Sequence, residues 1–298
     1  MKNQQDRLQY VSYIDTDSLF LRIGFFLKNQ GVDIDVWDAL DKKTRVEYLL
    51  KLSKYIENNI NDRMFNETQA VDYTSAVERE DFTIGFKQEI ICDYALHISP
   101  KMYAFHVINN EGFDCDKIDA KGIETVRSSS PRVFREGLKG LLKQILASTP
   151  DDDITKYMSD KILDFYTAPT EHVSVNIGVN NILKYREPEG KYKKGTPYQV
   201  KGAINYMLLL KELGLDYKYE PIREGDKCRF TYVKKNKWGM DGITYFEWPK
   251  EFKDAGIIPD VDTQIDKYFI GKAKILLAPM HKEHLLDSSG TAEADFFG

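Results

Sequence analysis

Hydrophobic and polar positions alternate near the start of the chain in a way that predicts a β-hairpin. Residues 8–14 and 19–23 are rich in β-branched and aromatic side chains, and they flank the polar segment Asp15-Thr16-Asp17-Ser18. Short polar side chains of this kind favour tight turns. The segment is therefore expected to form the tip of the hairpin.

The rest of the first half carries both helical and strand-like patterns. Apolar residues recur at helical spacing over residues 36–61, which predicts one or two helices. Residues 82–98 and 102–108 have the composition of strands and are separated by Ser99-Pro100.

A helix with two distinct faces is predicted to start near residue 130 and to end near residue 148. Ser130 suits the N-cap and Pro131 suits the first helical position. The apolar face comprises Phe134, Leu138, Leu141, Leu142 and Ile145. The basic stripe comprises Arg132, Arg135, Lys139 and Lys143. This pattern fits an element that clamps a phosphate backbone, and it also fits an ordinary surface helix.

Further helices are predicted over residues 154–166 and near residues 199–213, and short strands follow, including one over residues 227–233.

The composition is that of a soluble globular protein: 298 residues and 34.5 kDa suffice for about two domains, 42% of residues are apolar, and the mean hydropathy is −0.47. No apolar run approaches the roughly 18 residues of a membrane span, and the N-terminus lacks the apolar core of a secretion signal. The three cysteines lie far apart and predict no disulfide framework, which favours a reducing cytoplasm.

Positive charge is concentrated in the second half of the chain, although the net charge is −5. The windows 121–143, 184–201 and 223–237 each hold six basic and two acidic residues, a surplus of four. A solvated charged surface would explain any one window. Three such windows favour a surface that follows a phosphate backbone.

Asp15 and Asp17 carry the clearest catalytic chemistry. They lie two positions apart, so on a regular strand both carboxylates would face the same side. Two close carboxylates suit a hard divalent cation and would form half of a two-metal site. Ordinary turn chemistry is the alternative interpretation of a short Asp-Thr-Asp segment. An EF-hand is excluded because Phe20 stands where that loop requires glycine.

The string Tyr13-Ile14-Asp15-Thr16-Asp17-Ser18 resembles motif C of the family B DNA polymerases, whose common form is Tyr-Gly-Asp-Thr-Asp-Ser. Lys101-Met102-Tyr103 resembles the family's Lys-Lys-Arg-Tyr element, which touches the primer–template. The segment 121–131 is similar to the passage from palm to thumb, and segments 180–185, 201–202 and 225–228 resemble thumb segments of tailed-phage replicative polymerases. The order and rough spacing fit from residue 10 to about residue 280.

The resemblance implies an α+β fold. The C-terminal part of a palm, an antiparallel sheet with the motif C hairpin, is expected over residues 1–127, with a helical insertion over about 28–80. A mainly helical thumb with small β elements is expected over residues 128–280. A flexible tail is expected over residues 281–298.

The implied reaction is nucleotidyl transfer, in which a primer 3′-hydroxyl attacks the α-phosphate of a deoxynucleoside triphosphate and pyrophosphate leaves. Two Mg²⁺ ions are implied, with Asp17 as the expected ligand and Asp15 shaping the site near the primer end. The residues assigned to primer–template DNA are Lys101, Tyr103, Lys121, Arg127, Ser130, Arg132, Arg135, Lys139, Lys184 and Lys201. For Lys101 and Tyr103 the alternative is a solvent-facing lysine beside a core tyrosine.

The chain departs from the family pattern in three ways. Ile14 replaces the usual glycine, and Pro100 and Met102 stand where the family has Lys and Arg. In the family, the exonuclease domain, the fingers and a palm strand with another catalytic aspartate all precede motif C. The resemblance therefore predicts a split polymerase whose separate N-terminal polypeptide supplies those parts and completes the Mg²⁺ site. A pseudogene remnant remains the alternative.

The C-terminal segment suggests a further partner. Phe296 and Phe297 end an acidic stretch and resemble the clamp-binding peptides of phage and archaeal replicative polymerases, whose aromatic anchors fill an apolar groove on a sliding clamp. A plain disordered terminus is the other interpretation. His281 and His284 lack further metal ligands nearby in the sequence.

Two other functions compete with a polymerase. A non-catalytic DNA-binding subunit would have a vestigial aspartate pair, and a phosphohydrolase would use the same carboxylates without a partner. If the chain is phage-encoded, the cytoplasm of the host cell is the expected location.

Overall fold

The computed structural model describes residues 10–15, 17–70, 78–82, 84–123, 130–188 and 192–286. The chain divides into two compact units. The first unit comprises Met1–Ala95 and Tyr103–Lys121, and the second comprises Leu96–Met102 and Gly122–Gly298. Within the described ranges, no helix is both long and apolar enough to cross a membrane.

The first unit begins with the predicted hairpin, which is confirmed. Strands β1 (Val11–Asp15) and β2 (Ser18–Leu21) pair antiparallel, and Asp15 lies opposite Ser18, so a loop of two residues closes the turn. The helices that follow are α1 (Ile23–Asn29), α2 (Ile34–Asp38) and α3 (Lys42–Ala70). The helices predicted over residues 36–61 are therefore present, and α3 extends beyond them.

A three-stranded sheet lies mainly in the first unit. It has the order β3 (Ile90–Ser99), β4 (Met102–Asn110) and β5 (Phe113–Lys121). Residues 82–89 were also predicted as strand, but their described part, 82 and 84–89, is irregular chain that follows a short 3₁₀ turn, Arg79–Asp81. The central strand β4 is buried on both faces: Ile108 packs with Val46 of α3, and Phe105 lies in an aromatic cluster.

The second unit contains a helical core. Helices α4 (Arg132–Leu146), α5 (Asp151–Thr167) and α6 (Thr170–Val173) open this unit after Gly122. The predicted apolar face of α4 is buried, and the Phe134 ring meets Phe165 of α5 edge-on at 4.7 Å between centroids. Gly140 lets α4 and α5 approach closely, because a Cβ there would lie 1.9 Å from the Tyr157 hydroxyl.

Proline precedes each of the longer helices of this unit, and this corrects the predicted start of α4. The N-cap is Pro131 rather than Ser130, and no side-chain hydrogen bond caps the helix. Pro131 has an extended ψ of 141°, so it is not itself helical, yet its carbonyl accepts the Arg135 amide hydrogen at 3.1 Å. Proline suits this position because its missing N–H would make no helical hydrogen bond there. Pro150 and Pro197 hold the same position in α5 and in helix α8 (Tyr198–Glu212).

A small sheet packs on α8 to form the second core of this unit. Strands β6 (Val175–Gly178), β7 (Lys227–Tyr232) and β8 (Gly242–Tyr245) lie in that order, and a four-residue helix α7 (Ile182–Tyr185) follows β6. Gly202 of α8 faces β8 so closely that a Cβ there would lie 2.7 Å from the Thr244 backbone nitrogen. Glycine therefore permits the contact between helix and strand.

The last described segment contains a π-helical turn. After α9 (Glu251–Asp254), helix α10 (Val261–Ile265) runs through the π turn Asp266–Ile270 into α11 (Gly271–Leu277). A short 3₁₀ turn, Ala278–Met280, follows. Within the π turn, Phe269 is buried against Phe165, and the Lys267 Nζ lies 4.1 Å from the centroid of the Tyr232 ring.

Replacing Gly202 by alanine is expected to destabilise the second unit by about 1–3 kcal/mol, because the added methyl group collides with backbone atoms that cannot rotate away. Urea unfolding followed by circular dichroism measures the change. Gly24→Ala in α1 is the matched control, since a Cβ there meets nothing within 4 Å. Equal stability of the two variants would contradict the proposed close contact.

Candidate functional site

Aromatic side chains hold the inner face of the β1–β2 hairpin. Tyr13 and Phe20 are cross-strand partners, and both rings lie 5.7 Å from the ring of Tyr103 on β4. The Phe20 ring also lies 5.1 Å from that of Phe105. Aromatic pairs of this kind contribute about 0.5–1.5 kcal/mol each beyond their buried area. The hairpin is thus fixed on the first unit's own sheet.

The base of the hairpin is held separately by α1. The Tyr10 ring packs edge-on against Phe25 at 5.7 Å, and the Tyr10 hydroxyl accepts a hydrogen bond from Asn29 Nδ2 at 3.0 Å. The Arg22 amide donates to the Tyr10 carbonyl at 2.7 Å. With its base and inner face held, the hairpin presents its loop at a defined place.

Asp17 lies in this loop and is exposed. The two-residue turn ends β1 at Asp15 and places Asp17 outside the strands, so the same-side geometry of a regular strand does not apply to this pair. The side chain of Asp15 and the whole of Thr16 lie outside the described residues. The carboxylate of Asp17 is a hard oxygen ligand of the kind that Mg²⁺ takes. In the described part of the chain, no three His, Cys, Asp or Glu side chains are grouped to hold a metal, so Asp17 fits only part of such a site.

Tyr103 and Lys121 come together at the end of the β4–β5 pair. They are cross-strand neighbours, and the Lys121 Nζ lies 5.9 Å from the centroid of the Tyr103 ring. Tyr103 is 8% exposed, so its ring occupies the core position that was the alternative interpretation. Lys121 is exposed. Contact of either residue with a primer stays a prediction.

Lys101 occupies the turn between β3 and β4. It follows Pro100 and has a φ of 63°, which is the residue pattern of a type II turn. The backbone of this turn lies directly against Gly122, because a Cβ at Gly122 would lie 2.3 Å from the Lys101 carbonyl oxygen. The side chain of Lys101 is exposed.

The basic stripe of α4 is less uniform than its spacing predicts. Arg132 is exposed and its Nε donates to Glu136 at 2.6 Å, a contact that raises the pKa of Arg132 and lowers that of Glu136. Arg135 is half-buried, and its Nε is buried without a hydrogen-bond partner among the described residues. Ser130 is 6% exposed, so its hydroxyl is largely withdrawn from solvent. Lys139 and Lys143 are exposed and give the stripe its accessible charge.

Lys184 and Lys201 belong to a patch of lysines and tyrosines near α7. The Lys184 Nζ lies 5.3 Å from the Tyr185 ring centroid, and the Lys201 Nζ lies 5.4 Å from that of Tyr192. Lys193 Nζ donates to the Lys184 carbonyl at 2.9 Å. We call Lys184, Tyr185, Tyr192, Lys193 and Lys201 the basic–aromatic patch.

Glu224 anchors the start of α7, the helix that carries Lys184 and Tyr185. Its carboxylate accepts the amide hydrogens of Asn181 and Leu183 at 2.6 and 3.2 Å, at the start of α7. Sequence reasoning assigned the two lysines but missed the tyrosines, although their spacing from the lysines could have indicated the pairing. Arg127, Phe296 and Phe297, which were also assigned from the sequence, lie outside the described residues.

His106 links the strands of the sheet that supports the hairpin, and no sequence motif indicates this role. Its Nδ1 lies 2.7 Å from Asp93 of β3 and its Nε2 lies 2.6 Å from Asp116 of β5. The hydrogen bond to Asp116 is the main cause of a raised pKa for His106, and Asp93 adds to it. The three residues come from three strands, so their meeting depends on strand pairing that no local motif reveals.

Comparison with known proteins shows a similarity to a DNA polymerase. No protein-family model matches the chain. A DNA-directed DNA polymerase of Enterobacteria phage T4 is 22% identical over 301 residues, an alignment that covers 96% of this chain and 32% of the phage enzyme. The chain thus spans about a third of the length of the curated relative it matches. The similarity supports a relationship to DNA polymerases that extends over almost the whole chain.

His106→Gln is expected to weaken the first unit at about pH 6 by about 1 kcal/mol, and to have little effect at about pH 9. Because the pKa of His106 is raised in the folded state, the charged contacts stabilise below the ordinary histidine pKa and are lost as pH rises through the raised value. Hydrogen exchange of the β3–β5 amides at both pH values measures this, with His172→Gln as the control. A loss that grows with pH would contradict the assignment.

Proposed function

We propose that this chain forms the motif C hairpin and the DNA-gripping thumb of a DNA-directed DNA polymerase, and that it acts with a second polypeptide carrying the remaining palm, the fingers and the exonuclease. One observation carries the proposal: an exposed carboxylate, Asp17, stands at the tip of a hairpin fixed on an aromatic core. The similarity to the phage T4 polymerase along 96% of the chain supports it.

The reaction is transfer of a nucleotidyl group to a primer. The primer 3′-hydroxyl forms a bond to the α-phosphorus, and the bond between that phosphorus and pyrophosphate breaks. Mg²⁺, when bound, neutralises the negative charge that develops on the phosphate oxygens. Asp17 would hold the ion through its carboxylate. Tyr103 positions the hairpin by packing against Tyr13, and Lys121 lies opposite Tyr103 at the end of the same sheet.

DNA binding is assigned to cations of the second unit. Lys139 on α4 and the basic–aromatic patch would neutralise phosphates on any sequence, since lysine side chains read charge rather than base identity. The lysines of the patch lie along tyrosine rings, which restricts their rotamers before DNA arrives. Less side-chain entropy is then lost on binding.

The incomplete cation site supports the proposal of a second polypeptide. The described residues offer Asp17 but no group of three ligands. In a family B polymerase the palm bears another catalytic aspartate, which we assign to the second polypeptide. A non-catalytic DNA-binding subunit is the competing function, and loss of Asp17 distinguishes the two.

Asp17→Ala is expected to reduce primer extension by the reconstituted pair about a thousandfold, because a lost metal ligand removes several kcal/mol of transition-state stabilisation. Affinity for primer–template DNA should stay unchanged. Asp35→Ala, which removes another exposed carboxylate of the first unit, is the control. Synthesis retained by the Asp17 variant would favour the non-catalytic subunit, and hydrolysis by the isolated chain would favour a phosphohydrolase.

Lys139→Gln is expected to lower the slope of log affinity against log salt concentration by about 0.9, the value for one lost phosphate contact on duplex DNA. Fluorescence anisotropy with a labelled primer–template at several KCl concentrations measures the slope. Lys51→Gln on α3, an exposed lysine of the first unit, should leave the slope unchanged. Identical slopes for both variants would remove Lys139 from the DNA-binding surface.

A further inference from the structure

A cavity lies between helix α1 and the start of α2, in the first unit. Residues of α1 and its N-cap form one wall, and residues of the segment 32–35 form the other. The volume of the cavity is about 680 Å³. This volume falls in the range of small-molecule binding sites.

The corner between the two helices is fixed by backbone hydrogen bonds. The Gly31 amide donates to the Lys28 carbonyl at 3.0 Å, and the Val32 amide donates to the Leu27 carbonyl at 3.0 Å. Gly31 has a φ of 82°, the left-handed conformation that ends many helices. Leu27 is buried, so α1 is anchored at this corner. The walls of the cavity are therefore held in place without a ligand.

Two cations of the first wall line the cavity. Arg22 and Lys28 are both exposed. Across the described residues, neither side chain makes a hydrogen bond or an ion pair. A guanidinium donates parallel hydrogen bonds to two phosphate oxygens, and an ammonium adds a point charge. The two side chains together suit a phosphate group.

The remaining lining suits a flat ring and hydroxyl groups. Phe25, Val32 and Ile34 are half-buried and supply apolar surface, and a phenyl ring stacks on nucleobases. Asp33 and Asp35 add carboxylates, which accept hydrogen bonds from ribose hydroxyls in other nucleotide sites. Asp33 Oδ1 also accepts the Asp35 amide hydrogen at 3.0 Å, which orients its carboxylate. These carboxylates offset the two cations, so a bare anion is disfavoured.

We propose that this cavity binds a nucleoside 5′-monophosphate, with the phosphate on Arg22 and Lys28, the base against Phe25 and the ribose at Asp33. This inference goes beyond the proposed function. The cavity lies at the opposite end of β2 from the loop that carries Asp17, so the two sites are separate.

Calorimetric titration of the full chain with AMP and with CMP, one purine and one pyrimidine nucleotide, tests the proposal. A dissociation constant between about 10 µM and 1 mM is expected for a ligand of this size in an open site. Adenosine and inorganic phosphate, each tested alone, should bind at least about tenfold more weakly than AMP, because each makes only part of the contacts. Absence of saturable binding of both nucleotides, or equal binding of inorganic phosphate, would overturn the proposal.

Arg22→Gln is expected to weaken AMP binding by about ten- to a hundredfold, because charge-assisted hydrogen bonds to the phosphate are lost. Lys51→Gln on α3 removes another exposed cation of the same unit and should bind AMP like the unchanged chain. If Lys184→Gln removes AMP binding and Arg22→Gln leaves it intact, the nucleotide lies on the basic–aromatic patch and the proposal is overturned.

Gly24→Leu is expected to abolish AMP binding by filling the cavity. Gly24 lines the cavity and a Cβ there meets nothing within 4 Å, while leucine favours a helix more than glycine does. The variant should therefore keep or raise the unfolding temperature of the chain. Gly178→Leu in β6 is the matched control, since a Cβ there also meets nothing within 4 Å. Unchanged AMP binding by a folded Gly24→Leu chain would place the nucleotide elsewhere and refute the assignment.

Discussion

Stacking between the rings of the hairpin and those of β4 determines where the Asp17 loop lies. A ribbon of five and four residues would hold a fixed position poorly by itself. The Tyr103 ring stacks on Phe105 at 4.8 Å and contacts both Tyr13 and Phe20. Side chains of the single strand β4 therefore hold the inner face of the hairpin. His106 on the opposite face of the same strand then links β4 to both neighbours. The chemistry of the loop depends on this layer, which no catalytic motif describes.

The cationic surface of the second unit is organised by partners as much as by charge. Glu136 partly neutralises the charge of Arg132 through their ion pair, and the Arg135 side chain is half-buried. Lys139 and Lys143 are therefore the accessible cations of α4. Elsewhere the lysines lie on tyrosine or tryptophan rings, as Lys237 does on Trp238 at 4.3 Å. Counting basic residues in windows locates such a surface but overstates the charge that each residue offers to phosphate.

The sequence predicted the hairpin and the long helices well, because turn residues and apolar periodicity are local signals. The core face of α4 was read correctly from the spacing of Phe134 to Ile145. Prediction from the sequence failed where the structure depends on which strands pair. Strand β5 was missed because Asp114, Asp116 and Asp119 mask its pattern at a sheet edge. The start of α4 shifted by one residue since extended backbone at Pro131 delays the first helical residue.

The π turn at Asp266–Ile270 determines which side chains of α11 face the interior. A π turn is equivalent to one residue inserted into an α-helix. Each residue of an α-helix advances by about 100°, so the helix beyond the insertion is rotated by that angle relative to the helix before it. Ala273 and Leu277, which follow the turn, are both fully buried. Deleting one residue within the turn would rotate α11 by the same angle and turn its buried side chains away from the interior.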